Sequence, residues 1–438
     1  MTDAGLVQVR SWGRVAHTRS PVADPAFIDD VRKVESNGSR LAFGLGRSYG
    51  DVCLNDGGTL VRMPMLDRIA SADWQTGIVR VEAGISIGAL LAVAVPHGWF
   101  VPVTPGTKFV TLGGAVANDV HGKNHAEAGT IGCHVRALGL LRQGRVIDIG
   151  LDNHPDLFAA TIGGLGLTGI ILWVELQLQR VASSDFEVET RRLGGLDDFF
   201  RVAMSSQSWP YTVAWVDCLA AGAALGRGLF SRGRHAETGP LRVHATGSQI
   251  GVPLDAPVGL LGPTAVRLFN ALYARQPRSQ AVRRVPYDAF LYPLDRIGHW
   301  NRLYGRPGFY QHQSVIPMAT AHRTLERLLQ ATAAAGQGSF LVVLKLFGAR
   351  RSPGLLSFPR EGATFALDLP NRGAETLGLL QRMGDIVMAE GGRLYPAKDA
   401  SMTGDQFRAG YPAWRQLEAV RDPAIGSDFW RRVTRDAA

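Results

Sequence analysis

The stretch Phe43–Asp51 reads FGLGRSYGD, a hydrophobic run that enters glycines and leaves through Arg-Ser-Tyr-Gly-Asp. A Rossmann-type dinucleotide loop requires G-x-G-x-x-G at the mouth of an amphipathic helix, with the third glycine letting helix and strand touch. Here the glycines are Gly44, Gly46 and Gly50, so the third falls one residue late and Tyr49 stands in its place. The following DVCLNDGG is polar and turn-rich, and there is no GK[ST]. Neither a Rossmann loop nor a P-loop fits. Taken alone, the stretch reads equally well as one jaw of another nucleotide site or as a tight turn that binds nothing.

Two more glycine-rich stretches weigh toward the first reading. TPGTKFVTLGGAVANDVHGKNHAEAGTIG covers Thr104 to Gly132, and TIGGLGLTGI ends at Ile170. Gly113 and Gly114 bare consecutive backbone amides, which can line an anion site without a lysine. Asn118, His121, Lys123, Asn124 and His125 add polar groups for a second part of a ligand. Three such loops exceed what turns alone require.

A chain of 438 residues exceeds one ordinary core, so two or more domains are expected. Short β-branched runs fill residues 40–180 with few helices between them. From DFEVETRRLGG onward, helical spacing in LDDFFRVAMSSQS and MATAHRTLERLLQATAAAG alternates with strands such as FYQHQSVIP and SFLVVLKLFG. The expected fold class is α+β, with domains at 1–184 and 185–390 and a segment 391–438 returning to the first domain. The net charge of +9 is mostly scattered arginine, without a reading motif, so no nucleic acid is expected. An acidic small molecule or an anionic membrane surface suits the charge better. Cys53, Cys133 and Cys218 form no CxxC pair, so neither a metal site nor a disulfide framework is expected. The N-terminal MTDAGLVQVRSWGRV has no apolar export segment, and IGALLAVAVPHGWFVPV is too short to span a bilayer. The expected location is cytoplasmic, with peripheral contact at the inner membrane.

The residues GLGRSYGD, TPGTKFVTLGGAVANDVHGKNH, FYQHQSVIP, LKLFG, LDLP and YPAKD resemble, over essentially the whole chain, flavoenzymes of the vanillyl-alcohol oxidase superfamily. Within it they are most similar to the oxidases of polyprenyl-phosphoryl ribose. The resemblance implies a two-part p-cresol methylhydroxylase-type FAD-binding domain and an α+β substrate domain with an antiparallel sheet. It implies that Gly46, Arg47, Ser48, Tyr49 and Gly50 wrap the FAD pyrophosphate, with backbone groups of Thr111, Leu112, Gly113 and Gly114 opposite. Asn118, His121, Gly122, Lys123 and Asn124 would flank the flavin, Ile170 the adenine end, and Tyr395 and Lys398 the isoalloxazine. Arg47 stands where many relatives carry a flavin-linking histidine, so non-covalent FAD is implied, with His121 as the alternative attachment point. Gln311, Gln313, Lys345, Asp368 and Lys398 would bind substrate. Strand periodicity independently puts Gln311 and Gln313 on one face, and Lys345 stands in an apolar strand, either buried opposite a negative partner or reaching solvent from an edge.

The implied reaction is oxidation of the C2′ hydroxyl of a polyprenyl-phosphoryl pentose by hydride transfer to flavin N5, the first half of an epimerisation. Lys398, Tyr49 and His121 are the candidates for handling the proton. A separate NADH-dependent short-chain reductase is the implied partner. Ala366 and Thr364 depart from the cysteine and asparagine of the family and alter the sugar pocket. Ile250–Arg278 is apolar and proline-punctuated and passes into arginines, which reads either as a membrane-facing lid or as an ordinary surface helix and loop. Two other readings stand: an FAD-dependent enzyme of a soluble sugar, alditol or aldonolactone, and a non-catalytic flavin-binding partner subunit.

Overall fold

A computed structural model describes residues 6–36, 38–244, 250–257, 259–275 and 281–435. Val258 and residues 276–278 of the expected lid stretch lie outside them. The fold is α+β. Near the N-terminus, β1 (Val22–Ala23), β2 (Arg40–Phe43) and β3 (Thr59–Arg62) form a parallel sheet with β3 central. An antiparallel sheet of order β7-β6-β8-β5-β4 follows, from β4 (Ile69–Asp73), β5 (Ile78–Glu82), β6 (Val135–Arg142), β7 (Arg145–Gly150) and β8 (Ile170–Gln177). Helix α1 (Ile87–Ala94) starts where the Ser86 hydroxyl accepts the Ala89 amide, and it buries Ile87, Leu90, Leu91 and Ala94 in the same core as this sheet.

The rest of the chain builds one eight-stranded antiparallel sheet of order β12-β9-β11-β10-β14-β15-β13-β16. Its strands are β9 (Asp185–Leu193), β10 (Tyr211–Val216), β11 (Gly228–His235), β12 (Arg283–Pro286), β13 (Phe309–Ile316), β14 (Val342–Phe347), β15 (Gly362–Pro370) and β16 (Arg393–Leu394). Strand alternation gives its two faces different chemistry. Ala214, Val216, Val342, Leu344, Ala363, Phe365 and Leu367 enter a core shared with the helices Met318–Ala334 and Ala374–Ala389. Their neighbours Val213, Trp215, Val343, Lys345, Thr364, Ala366 and Asp368 face a cavity of about 1230 Å³. The last helices, Gly404–Gly410, Trp414–Val420 and Asp428–Thr434, send Phe407, Tyr411, Trp414, Phe429 and Trp430 into the cluster that also holds Leu41 and Leu60 of the N-terminal sheet. The Arg40 amide donates to the Ala424 carbonyl at 2.7 Å, and the Asp422 amide to that of Leu167 at 2.9 Å.

Candidate active site

The loop after β2 is shaped by what it must touch. Gly46 has φ +63°, a left-handed conformation that favours glycine. A methyl group on Gly50 would stand 2.2 Å from the Asp399 carbonyl oxygen, so only glycine lets the C-terminal segment come this close. The Tyr49 amide completes the contact by donating to the Ala397 carbonyl at 3.1 Å. The amides of Arg47 and Ser48 have no hydrogen-bond partner among the described residues, and both residues line the cavity. The Arg47 guanidinium lies 4.0 Å from the Trp12 ring centroid, and its buried Nε lacks a partner.

The second glycine-rich stretch behaves differently. Thr111 caps the helix Leu112–Ala117, its hydroxyl accepting the Gly114 amide at 3.3 Å. The Leu112 and Gly113 amides donate to the Ile85 and Ala83 carbonyls, each at 2.8 Å. The expected row of free amides is therefore already spent on the fold. Thr111, Gly113 and Gly114 still form cavity wall, whereas Leu112 points into the core and does not. Gly113 is needed for packing, since a Cβ there would sit 2.8 Å from the Ala83 methyl.

Three other residues expected at the cofactor lie off the cavity lining. Gly50 serves the tail contact rather than the cavity wall. Asn124 is buried, gives its Nδ2 to the Pro102 carbonyl at 2.8 Å, and supports the wall from behind. Ile170 is fully buried in the core, and the next residue, Ile171, lines the cavity because consecutive strand residues face opposite ways. Sequence reasoning missed Pro105, Gly106 and Thr107, which line the cavity, and Asp295, whose Oδ2 accepts the Lys108 amide at 2.9 Å. The TPGT sequence ahead of the double glycine was the available signal for the first three. Nothing local marks Asp295.

The polar face of the large sheet closes the cavity's other side. Gln311 pairs with Asp368 in the β13–β15 register and hydrogen-bonds its carboxylate, whose Oδ2 stays unpartnered and buried. Gln313 lies opposite Ala366 and meets His121 Nε2 at 3.0 Å and the Thr364 hydroxyl at 3.4 Å. Lys345 is on an interior strand, so the edge-strand reading is set aside. Its Nζ donates to the Gly122 carbonyl at 3.2 Å and makes no ion pair with Asp368. Lys123 Nζ donates to the Phe290 and Leu291 carbonyls at 2.6 and 3.0 Å. Lys398 Nζ lies 4.1 Å from the Tyr49 ring centroid, and the Tyr395 hydroxyl donates to the Asn118 carbonyl at 3.0 Å.

These amines are half-buried, line the cavity and repel one another. Burial, and then Lys398, push Lys345 down to about 7. Burial and Lys345 push Lys123 down to about 7, opposed by the Asp295 carboxylate. Burial also lowers the Lys398 amine and raises the Asp368 carboxyl, each opposed by the other's charge. His121 falls well below the ordinary imidazole range through burial, Lys345, His125 and Lys398. Burial, with Asp368 nearby, holds the Tyr49 phenol well above its usual value. At neutral pH, His121 is therefore a neutral ring, Tyr49 keeps its proton, and Lys398 can reach its neutral form.

The arrangement suits a long cofactor with a polar ring system. Two free amides stand on the first loop, while Gly106 and Gly166 have nothing within 4 Å of where a Cβ would be. Arg47 Nε, Asn118 Oδ1 and His121 Nδ1 are buried and unpartnered along one cavity. Residues 30–150 match the FAD binding domain family. The chain is 37% identical to the decaprenylphosphoryl-β-D-ribose oxidase of Mycolicibacterium smegmatis, over 97% of each chain. It is 36% identical to an uncharacterized protein of the mprA 5′ region of Streptomyces coelicolor, over 80% of this chain and all of the other. It is 28% identical to the L-gulonolactone oxidase of Mus musculus over 39% of this chain and 40% of that one. A cradle for an extended nucleotide, a matching FAD domain and an end-to-end relative agree: the chain belongs to the decaprenylphosphoryl-β-D-ribose oxidase family and is an FAD-dependent oxidoreductase.

Proposed function

We propose that this protein oxidises the C2′ hydroxyl of a polyprenyl-phosphoryl pentose to the 2-keto sugar, the first half of an epimerisation, using dissociable FAD in a two-part p-cresol methylhydroxylase-type domain. The observation that carries the reading is the sheet face on which Gln311, Gln313, Thr364, Lys345 and Asp368 meet Lys398 and then give way to apolar Val213, Trp215, Leu229 and Val343 within the same cavity. Amides and a carboxylate suit sugar hydroxyls, amines suit a phosphate, and the apolar floor suits a prenyl chain. We also propose the divisions 1–184, 185–390 and 391–438 as the FAD domain, the substrate domain and the returning segment.

In the reaction the C2′–H bond breaks with its electron pair leaving as hydride, the O–H bond breaks to release a proton, and C=O forms. Bound FAD supplies the two-electron acceptor. Lys398, in its neutral form, takes the hydroxyl proton; Tyr49 packs against that amine and orients it. Neutral His121 holds Gln313 against the sugar. Ala366 leaves space between Gln313 and Val343, which loosens the fit around the pentose.

No helix among the described residues is long and apolar enough to cross a membrane. The helix Pro263–Arg275 exposes Leu268 by 61% and Leu272 by 58%, while Val266 and Phe269 line the cavity. That helix serves as the face through which a lipid substrate enters from a membrane surface. The 2-keto product requires a reductase to complete the epimerisation, for which a separate NADH-dependent short-chain enzyme is the fitting class.

Anaerobic bleaching of the flavin by polyprenyl-phosphoryl ribose tests the reading. Bleaching is the expected result. Bleaching by a soluble aldonolactone or alditol, but not by the lipid-linked sugar, would move the substrate to the class suggested by the gulonolactone oxidase likeness. Co-sedimentation with anionic vesicles, lost in Leu268→Asp/Leu272→Asp protein of unchanged flavin content, tests the entry face.

A further inference from the structure

Asp51 closes the GLGRSYGD motif, yet it lies outside the cavity wall. Its two carboxylate oxygens accept from Arg432 Nε and Nη2, each at 2.8 Å. The remaining guanidinium nitrogen, Nη1, donates to the Met402 carbonyl. One arginine thus ties the glycine loop on one side to the segment carrying Lys398 on the other. That segment is stiff: Asp399 Oδ1 accepts the amides of Ser401 and Met402 at 2.5 and 2.8 Å, and the Lys398 amide donates to the Tyr395 carbonyl at 3.0 Å. Arg432 itself is carried on a seated helix. The Asp428 amide donates to the Leu54 carbonyl at 2.8 Å, Asp428 Oδ1 accepts the Asp56 amide at 2.8 Å, and Phe429, Trp430 and Val433 are buried.

We infer that Arg432 and Asp51 form a latch through which the C-terminal helix positions Lys398 in the cavity; the inference rests on the reading of Lys398 as proton acceptor. A two-pronged guanidinium–carboxylate pair fixes direction as well as distance, which a point charge cannot do. The Asp51 side chain is only 13% exposed, so removing either partner leaves a poorly solvated charge and frees the Met402 tie. Around the amine stand Tyr49 from the loop, Asp368 from β15, Lys345 from β14 and His121 from the HGKNH turn. Of these, Asp368 favours the ammonium form, whereas burial opposes it. A released turn lets Lys398 move toward solvent, which relieves the burial that lowers it and raises its titration midpoint.

The chain has five lysines, so ¹³C-lysine labelling of the FAD-loaded protein gives few signals, and Lys398→Ala assigns the one of interest. Arg432→Met and Asp51→Asn are expected to raise the Lys398 midpoint by about one pH unit. Arg432→Lys, which keeps the charge but not the fork, is expected to restore part of the shift. Flavin content and melting temperature, taken on the same samples, check that the fold is intact. An unchanged Lys398 midpoint in either FAD-loaded variant overturns the inference. Should Arg432→Met not fold, Asp51→Asn, with nearly the same shape, carries the test. The readout involves no substrate, so its failure is distinct from a failure of polyprenyl-phosphoryl ribose to bleach the wild type.

Discussion

Gly50 and Gly113 both occupy positions where a methyl group does not fit, but the neighbours differ. At Gly50 the obstacle is the Asp399 carbonyl, 2.2 Å from the added carbon and reached from the far end of the chain. At Gly113 it is the Ala83 methyl at 2.8 Å and the Ala83 carbonyl at 3.0 Å, within the N-terminal half. The first loop leaves amides free and draws the lysine turn toward the cavity. The second spends its amides on Ile85, Ala83 and Thr111 and serves as a rigid wall. Glycine-rich sequence therefore marks close approach in both places, and only the partners decide whether the approach serves a ligand or the core.

The largest expected effect breaks the first loop. Gly50→Ala must displace a backbone carbonyl, at a cost of about 3 kcal/mol or more. Expression should yield little folded, flavin-loaded protein; a variant melting within a few degrees of wild type would dissolve the contrast. Lys398→Ala tests what that loop delivers. FAD content should be kept while the anaerobic bleaching rate falls about 10³-fold, in the range general-base loss produces. Near-normal bleaching would leave the loop holding a residue without a proton role. Gly113→Ala, where a methyl must give way, should cost about 1–3 kcal/mol in denaturant unfolding with the bleaching rate little changed.

A smaller effect concerns pH. The folded Lys345 amine titrates near 7 against an ordinary value of 10.5. Between those values the unfolded chain holds a proton that the folded one has shed, so stability rises with pH across the window and is lost as pH falls toward 7. Lys345→Met should flatten the rise in melting temperature of the FAD-loaded protein between pH 7 and 10, with Lys123 retaining part of the slope. The smallest effect sharpens the comparison. Gly106→Ala adds a methyl into open cavity, so stability should change by under about 0.5 kcal/mol while FAD affinity falls. Unchanged affinity would remove the Pro105–Thr107 turn from the cofactor's path.

Much of the site was legible because its residue types are costly elsewhere. Lysine in the apolar strand LVVLKLFG, two glutamines at strand spacing and an HGKNH turn stand out against their surroundings. Five of the 47 basic residues are lysines. Lys123, Lys345 and Lys398 line the cavity, and Lys108 is buried in an ion pair with Asp288 at 2.6 Å, which leaves Lys33 as the exposed one. Guanidinium stays charged wherever it is placed, whereas an amine can be made neutral by burial, so residues able to change charge are concentrated where proton chemistry is expected. Less legible were the free and spent amides, because hydrogen-bond partners of a backbone group carry no local signature. Ile170 and Ile171 are chemically alike, and one position decides which faces the core.

By itself the sequence determined the α+β class, the non-Rossmann character of the glycine loops and the polar set on the large sheet. Periodicity and composition report which faces meet water or ligand. Only the tertiary structure decided that Gly50 meets Asp399, that Asp51 is held by Arg432, and that Asp295 joins the cavity. These contacts join residues tens to hundreds of positions apart, and their geometry follows from how whole sheets and helices pack rather than from any local preference of the chain.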